Sequence, residues 1–240
     1  MSFISKEIIE NYVCYEYKEL TSTNDELKTI TDFSNNIVIL SKSQTKGRGR
    51  RANIWSSPLG NLYFSYNQEL ELKDLSKIVY ITSLSLAKTM QEISPDLDIK
   101  IKWPNDIMIN KSKVSGILIE HITNNQWCIG IGVNVISSPD LKNTPYHATS
   151  LKENGITLDR KEILHYYLKN YQILFSDYKT KGFDSIKTKW LSLALNLNNT
   201  ITIKQDNKTK MGIFKTIDDN GCLILEHDGI EEKIIVGEFI

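Results

Sequence analysis

The stretch "DIKIKWPNDIMINKSKVSGILIEHITNNQWCIGIGVNV", residues 98–135, decides the fold class. Four apolar-rich runs lie in it: DIKIKW, IMIN, KVSGILIEH and QWCIGIGVNV. Between them stand Pro104-Asn105-Asp106, Asn110-Lys111-Ser112 and Asn124-Asn125, all turn-forming residues. Short strands joined by such turns predict an antiparallel meander. Upstream, Leu75–Ile93 carries apolar residues at helical spacing and predicts a long core helix. NLYFSYNQEL (61–70) predicts a strand with Leu62, Phe64 and Tyr66 on one face and Tyr63 and Ser65 on the other. NIVILSK (36–42) predicts a further strand, and TSTNDELKTI (21–30) a helix start with a Thr23/Glu26 capping box. Downstream, Asp159 to Lys181 predicts a second long helix through Ile163, Leu164, Tyr167, Leu168, Tyr171 and Leu174. After Trp190 the chain turns to short strands, with turn signals at Asp219-Asn220-Gly221 and Asp228-Gly229. The expectation is an α+β fold: a mixed, largely antiparallel sheet packed with helices over residues 1–190, then a small β-barrel over 191–240.

At 240 residues, with 40% apolar and 24% charged residues, the chain can bury a proper core. Twenty-nine cations balance 29 acids, which argues against general nucleic-acid or membrane-surface binding. Cys14, Cys128 and Cys222 are odd in number and far apart, with no CxxC or Cys/His spacing. This indicates neither a disulfide framework nor a zinc site, and reduced thiols suit the cytoplasm. The first residues carry acids and no long apolar run, so no signal peptide is expected, and no run nears the ~20 apolar residues of a membrane span.

Charge is unevenly placed. Only four cations are arginines, and three of them, Arg48, Arg50 and Arg51, share the segment Gly47–Arg51; the fourth is Arg160. No acid occurs between Phe33 and Gln68. From Ser43 to Gly60 there is no periodicity, and so long a connection in a compact domain is usually functional or disordered. Guanidinium forks grip phosphate or carboxylate, and glycines let backbone N–H groups approach an anion. The segment reads as an anion cradle, against the plainer reading of a solvated basic loop. It is not a Walker loop, because GxxxxGK[ST] is absent.

Further candidates cluster in the meander. Lys102–Asp106 (KWPND) suffices as a hairpin turn, and Asp106 could also hold Mg2+ beside a phosphate. Lys113, at a strand mouth, is a solvated lysine or a cation for charge developing on a reacting oxygen. Gly116, Gly130 and Gly132 leave one strand face bare, for close helix packing or as a slot for a flat ligand. Ser22-Thr23-Asn24 is a helix cap that can also present hydroxyls to a ligand. No serine or cysteine has the surroundings of a hydrolytic triad.

TSTN, QxxGRGRR, KWPND, KxxGILxE and GxGxN, in this order, resemble the biotin–protein ligase family, and the segment from Met211 to Glu238 resembles that family's small C-terminal SH3-like barrel. The resemblance implies a class II synthetase-like biotin/lipoate ligase catalytic domain. It implies that biotin and ATP give biotinyl-5′-adenylate and pyrophosphate, with Mg2+ offsetting phosphate charge. The biotinyl group then passes to a lysine of a biotin carboxyl carrier domain of acetyl-CoA carboxylase or another biotin-dependent carboxylase. Carried over by position, Lys113 and Arg48 are catalytic. Biotin falls to Ser22, Thr23, Asn24, Gln44, Arg48, Lys113 and Gly116. The nucleotide falls to Arg48, Arg50, Arg51, Trp55, Trp103, Asn105 and Asn134, and the metal to Asp106. Ala52-Asn53 follows GRGRR where relatives often carry Gly and another basic residue. TSTN begins at residue 21, too early for the winged helix-turn-helix of the family's repressors, so no nucleic-acid partner is expected. No membrane partner is expected either, and a homodimer through the sheet is. Lipoate–protein ligase and a non-catalytic adenylate sensor are the competing readings.

Overall fold

The computed structural model describes residues 2–140, 146–205, 208–235 and 237–239. The first four strands are β1 (Phe3–Ile9), β2 (Tyr12–Tyr17), β3 (Asn36–Ser41) and β4 (Leu62–Glu69). The meander follows as β5 (Ile99–Lys102), β6 (Asp106–Ile109), β7 (Ser112–Thr123) and β8 (Gln126–Val133). Among the described residues these eight form one sheet in the order β1-β2-β3-β4-β8-β7-β6-β5. All neighbours run antiparallel except β2 and β3, so the sheet is mixed and largely antiparallel, as the turns of residues 98–135 predict. Four helices complete this part: α1 (Thr23–Leu27), α2 (Leu75–Ile93), α3 (Arg160–Lys181) and α4 (Phe183–Leu193).

Strand alternation sorts the two faces. In β3, Val38 and Leu40 join the large core under α2, α3 and α4, while Ile37 and Ile39 join a smaller cluster with Leu20, Leu27 and Cys128 beneath α1. In β4, Leu62, Phe64 and Tyr66 enter the large core and Tyr63 and Ser65 face the other way. The large core includes a tyrosine cluster in which the Tyr66 and Tyr167 hydroxyls lie 2.7 Å apart and Tyr171 bonds Gln68 at 2.8 Å. Burial pushes all three phenols well above their ordinary pKa, so they stay neutral donors. Asp159 caps α3 in a full capping box with Glu162.

A second sheet follows: β9 (Thr200–Gln205), β10 (Lys208–Ile217), β11 (Leu223–His227), β12 (Ile230–Ile234) and β13 (Glu238–Phe239), in the order β12-β11-β10-β9-β13 and antiparallel throughout. It packs on the first part through Trp103. That indole stacks on Phe239 at 6.0 Å and donates its Nε1–H to the Tyr80 hydroxyl at 2.9 Å. The Tyr80 hydroxyl in turn donates to Gly221 O at 2.6 Å. Leu195 N still donates to Ile101 O, which ties the junction to β5.

The β1–β2 hairpin and α4 carry no strong sequence signal. Phe3–Ile9 mixes charge with apolar residues on an edge strand, and Phe183–Leu193 has only three buried side chains. The expected Thr23/Glu26 box is also different in place. The helix N-cap is Ser22, without a side-chain capping bond, and Thr23 lies inside the helix.

Candidate functional site

On the α1 side of the sheet the strands bring a row of small residues into register. Tyr63 pairs with Gly132, Gly132 with Gly116, and Gly116 with Asp106. The next row holds Ser65, Gly130 and Leu118. Three glycines side by side leave a bare floor, with an aromatic residue at one end and a carboxylate at the other.

Lys113 reaches this floor because of a β-bulge. Ile107 pairs with Ser115 but Met108 pairs with Lys113, so Val114 is an extra residue. Without it, alternation would put Val114 on the Gly116 face and Lys113 on the opposite one. With it, Val114 is fully buried in the large core. The Lys113 side chain stands beside Gly116, where an added Cβ would meet its Cε at 3.5 Å. The strand pairing of Lys113 with Ala148 braces the bulge from outside.

The arginine loop covers the floor. Gly49 N donates to Asn53 O at 2.7 Å and Trp55 N to Gly47 O at 3.0 Å, which closes the loop tip on itself. Arg51 sits at φ 53°, a left-handed conformation that a non-glycine residue adopts only at strain. Together these elements enclose a cavity of about 360 Å3. Every candidate residue lines it: Ser22, Thr23, Asn24, Gln44, Arg48, Arg50, Arg51, Trp55, Trp103, Asn105, Asp106, Lys113, Gly116 and Asn134.

Their engagements change several expectations. Arg48 is not an open cation, because its fork grips Asp25 with bonds of 2.6 and 2.8 Å and lies 3.5 Å from Glu120. Arg48 thus lines the cavity as a cation already paired on the α1 side. Asp106 pairs with the Lys113 ammonium at 2.6 Å, both groups largely buried. Among the described residues no group of three or more His, Cys, Asp or Glu side chains could hold a metal. Asp106 is a single carboxylate paired with Lys113, so a Mg2+ there would take its other ligands from phosphate and water. Trp103, 3% exposed, is held between Phe239 and Tyr80 and forms part of the cavity wall.

The glycine slot is occupied by the chain itself. A Cβ on Gly132 would collide with the Trp55 indole, and one on Gly130 with the Asn24 amide. Among the described residues, the Trp55 Nε1 donor and the Asn134 Oδ1 acceptor on this wall are buried without a hydrogen-bond partner. Asn134 is held by its Nδ2–H bond to Thr149 O at 3.0 Å, which fixes Oδ1 as the group left unpaired. An unmade hydrogen bond this deep costs about 1–3 kcal/mol, which a polar flat ligand would recover.

Ser22-Thr23-Asn24 forms the other wall. Gln44 Oε1 accepts from Thr23 N at 2.8 Å and from its hydroxyl at 3.2 Å, and Gln44 Nε2 donates to Ser57 at 2.9 Å. Asn105 Nδ2 donates to Ile117 O and its Oδ1 accepts from Arg50 at 3.2 Å. The sequence reading overlooked Lys102, Tyr146, Gly237, Asp25 and Glu120. Lys102, 4% exposed, lines the cavity with its ammonium 3.7 Å from the Tyr146 ring centroid. Lys102 and Glu120 lie inside the quoted motifs, whereas Tyr146, Gly237 and Asp25 carry no local signal. Chemically, the arrangement offers buried cations, a glycine floor under the Trp55 indole and unpaired polar groups behind the arginine loop. That suits a flat polar ligand next to a reacting anion.

Comparison with known proteins agrees with this chemistry. Residues 16–134 match the "Biotin/lipoate A/B protein ligase family" and residues 197–240 the "Biotin protein ligase C terminal domain". The bifunctional ligase/repressor BirA of Bacillus subtilis is 30% identical, the match covering 95% of this chain and 74% of that protein. The biotin–[acetyl-CoA-carboxylase] ligase of Paracoccus denitrificans is 32% identical, over 85% of this chain and 90% of that one. The biotin protein ligase of Aquifex aeolicus, solved in complex with biotin and ATP, superposes with a TM-score of 0.83 at 30% identity. That superposition covers 96% of this chain and 98% of the other.

Proposed function

The chain belongs to the biotin protein ligase family, and from that membership we propose that it is an ATP-dependent ligase that activates biotin as biotinyl-5′-adenylate and transfers the biotinyl group to a lysine of a biotin carboxyl carrier domain. The observation that carries the reading is the delivery of Lys113 by a bulge onto a bare glycine floor under an arginine loop.

In the first step a biotin carboxylate oxygen bonds to the α-phosphorus of ATP, and the bond to the bridging oxygen breaks to release pyrophosphate. Charge grows on the α-phosphoryl oxygens, and Lys113, Arg50 and the buried Lys102 are the cations fixed around the cavity. Asp106 aims the Lys113 ammonium, at 2.6 Å. In the second step the acceptor lysine amine attacks the biotinyl carbonyl, AMP leaves, and the amine loses a proton. Lys113 is assigned the charge-stabilising role in both steps. Ser22, Thr23, Asn24 and Gln44 are assigned to the biotin end, with the backbone of Gly116. Arg50, Arg51, Asn105 and Asn134 are assigned to the nucleotide end, where Asn134 Oδ1 supports the reading as an unpaired acceptor for an exocyclic amine. Trp55 closes over the ligand. Asp106 is the residue that would hold a Mg2+ ion, which would offset the charge of the ATP phosphates.

The division at residues 190/191 belongs to the same reading, with Gly237 as the second part's contribution to the cavity. So does a cytoplasmic setting, supported by three unpaired cysteines. Among the described residues no helix is long and apolar enough to cross a membrane. Self-association is assigned to the outer edge of β7 from Leu118 to Thr123, beyond its last pairing with β6. The test is incubation with ATP, Mg2+, biotin and a carrier domain, followed by mass measurement of the carrier. One added biotinyl group per carrier is expected, and an unchanged mass refutes the reading.

A further inference from the structure

Asp25 and Glu120 do not line the cavity, yet both bind Arg48, which reaches back to the body of the protein as Arg50 also does through Asn105. The loop tip is braced within itself by Gly49 N–Asn53 O, Asn53 N–Arg50 O and Trp55 N–Gly47 O. Arg48 ties that unit to α1 through two parallel bonds to Asp25, the fork geometry in which arginine holds a carboxylate most firmly. Glu120, on β7, stands behind. It accepts from Asn24 Nδ2 at 2.7 Å and pairs with Lys28 at 3.2 Å and Arg48 at 3.5 Å. Asn24 is itself buried, 2.5 Å from the Ser65 hydroxyl. Glu120 therefore ties α1, through Asn24 and Lys28, to the sheet behind the Arg48–Asp25 pair.

We propose that Asp25, backed by Glu120, is the latch that holds the arginine loop closed, with Arg48 as the loop-side half. Its consequence rests on the ligase reading: the latch sets how long a reactive acyl-adenylate stays enclosed before an acceptor arrives. Asp25 and Glu120 are positioning residues, since they act through Arg48 and touch no substrate.

Hydrogen exchange on the full, unliganded chain tests the latch without reference to activity. Asp25→Asn and Arg48→Gln are each expected to speed exchange of the Gly49, Asn53 and Trp55 amides about fivefold, the upper end for a half-exposed bidentate pair. The α3 amides should not change. The double variant should exchange no faster than either single one, because both remove the same interaction. Wild-type exchange in Asp25→Asn, or additive acceleration to about 25-fold, overturns the latch. A second arm follows escape of preformed biotinyl-adenylate from the chain, expected about fivefold faster in Asp25→Asn with rescue by Asp25→Glu. Unchanged escape despite faster loop exchange overturns the claim on retention. If wild type forms no adenylate, the ligase reading fails while the exchange arm still decides the latch.

Discussion

Lys113 shows how much one side chain depends on its neighbours. Its ammonium meets Asp106 at 2.6 Å, lies 5.5 Å from the Trp55 ring and 5.9 Å from that of Tyr146. Few waters can compete for it there, so its field on a developing oxyanion is strong. Lys113→Ala is expected to lower kcat for biotin-dependent pyrophosphate exchange by about 10²–10³-fold while leaving the KM for biotin within a few-fold. A kcat within threefold of wild type would remove Lys113 from the chemistry. Gly130 makes a converse point. A methyl group there drives into the Asn24 amide and so against Ser65 and Glu120. Gly130→Ala is expected to cost about 1–3 kcal/mol in urea denaturation and to loosen the arginine loop, whose latch shares Asn24. Denaturation at the wild-type midpoint would show that Asn24 can move aside.

The elements around the site are fixed by charges as well as by apolar pattern. The start of α3 is pinned to β1, β2 and β3. Arg160 pairs with Glu16 and donates to Ser41 O, and Lys161 pairs with Glu16 at 2.9 Å and Glu7 at 2.6 Å. Burial alone would raise the Glu16 pKa. The bond from Lys161 and the charges of Arg160, Lys161 and Lys42 outweigh it and hold the carboxyl below its ordinary value of 4.5. A folded pKa below the unfolded one means that this contribution is full above pH 4.5 and fades as pH falls through the lower folded value. Glu16→Gln leaves two cations facing a neutral amide and is expected to destabilise by roughly 3 kcal/mol at pH 7. The difference from wild type should shrink in acid, read by denaturation at pH 7 and pH 3. A constant difference across that range would show that charge is not its origin. This element was half legible: Asp159 and Glu162 announce the start of α3, but nothing local says that Arg160 reaches back to Glu16. Arg160 stood out in the sequence only as the arginine outside the loop.

At the scale of the whole molecule, the second sheet is part of the site's wall. Phe239 stacks on Trp103, the Tyr80–Gly221 bond runs beside it, and Gly237 lines the cavity. Phe239→Ala removes a buried ring and is expected to cost about 3 kcal/mol, or roughly 6–12 °C in Tm for a chain of this length if unfolding stays cooperative. Trp103 emission should shift to the red as the indole gains water. An unchanged Tm and emission would mean that the second sheet contributes nothing to holding KWPND in place.

The amino-acid sequence by itself determined the layers and the chemistry. Turn residues between residues 98 and 135 dictated an antiparallel meander, apolar spacing dictated α2 and α3, and the clustering of Arg48, Arg50 and Arg51 marked an anion-handling loop. These features are local, because periodicity, turn chemistry and charge density act within a few residues. Only the tertiary structure decided which of those groups are available. One extra residue in β7 turns Lys113 to the cavity, a register effect that depends on pairing with β6. Asp25 takes the fork of Arg48, the Trp55 and Asn24 side chains fill the glycine slot, and Phe239 holds Trp103. The bulge is set by pairing with the neighbouring strand, the other contacts join residues far apart in the chain, and no local pattern records which partner a side chain will meet once the sheet is assembled.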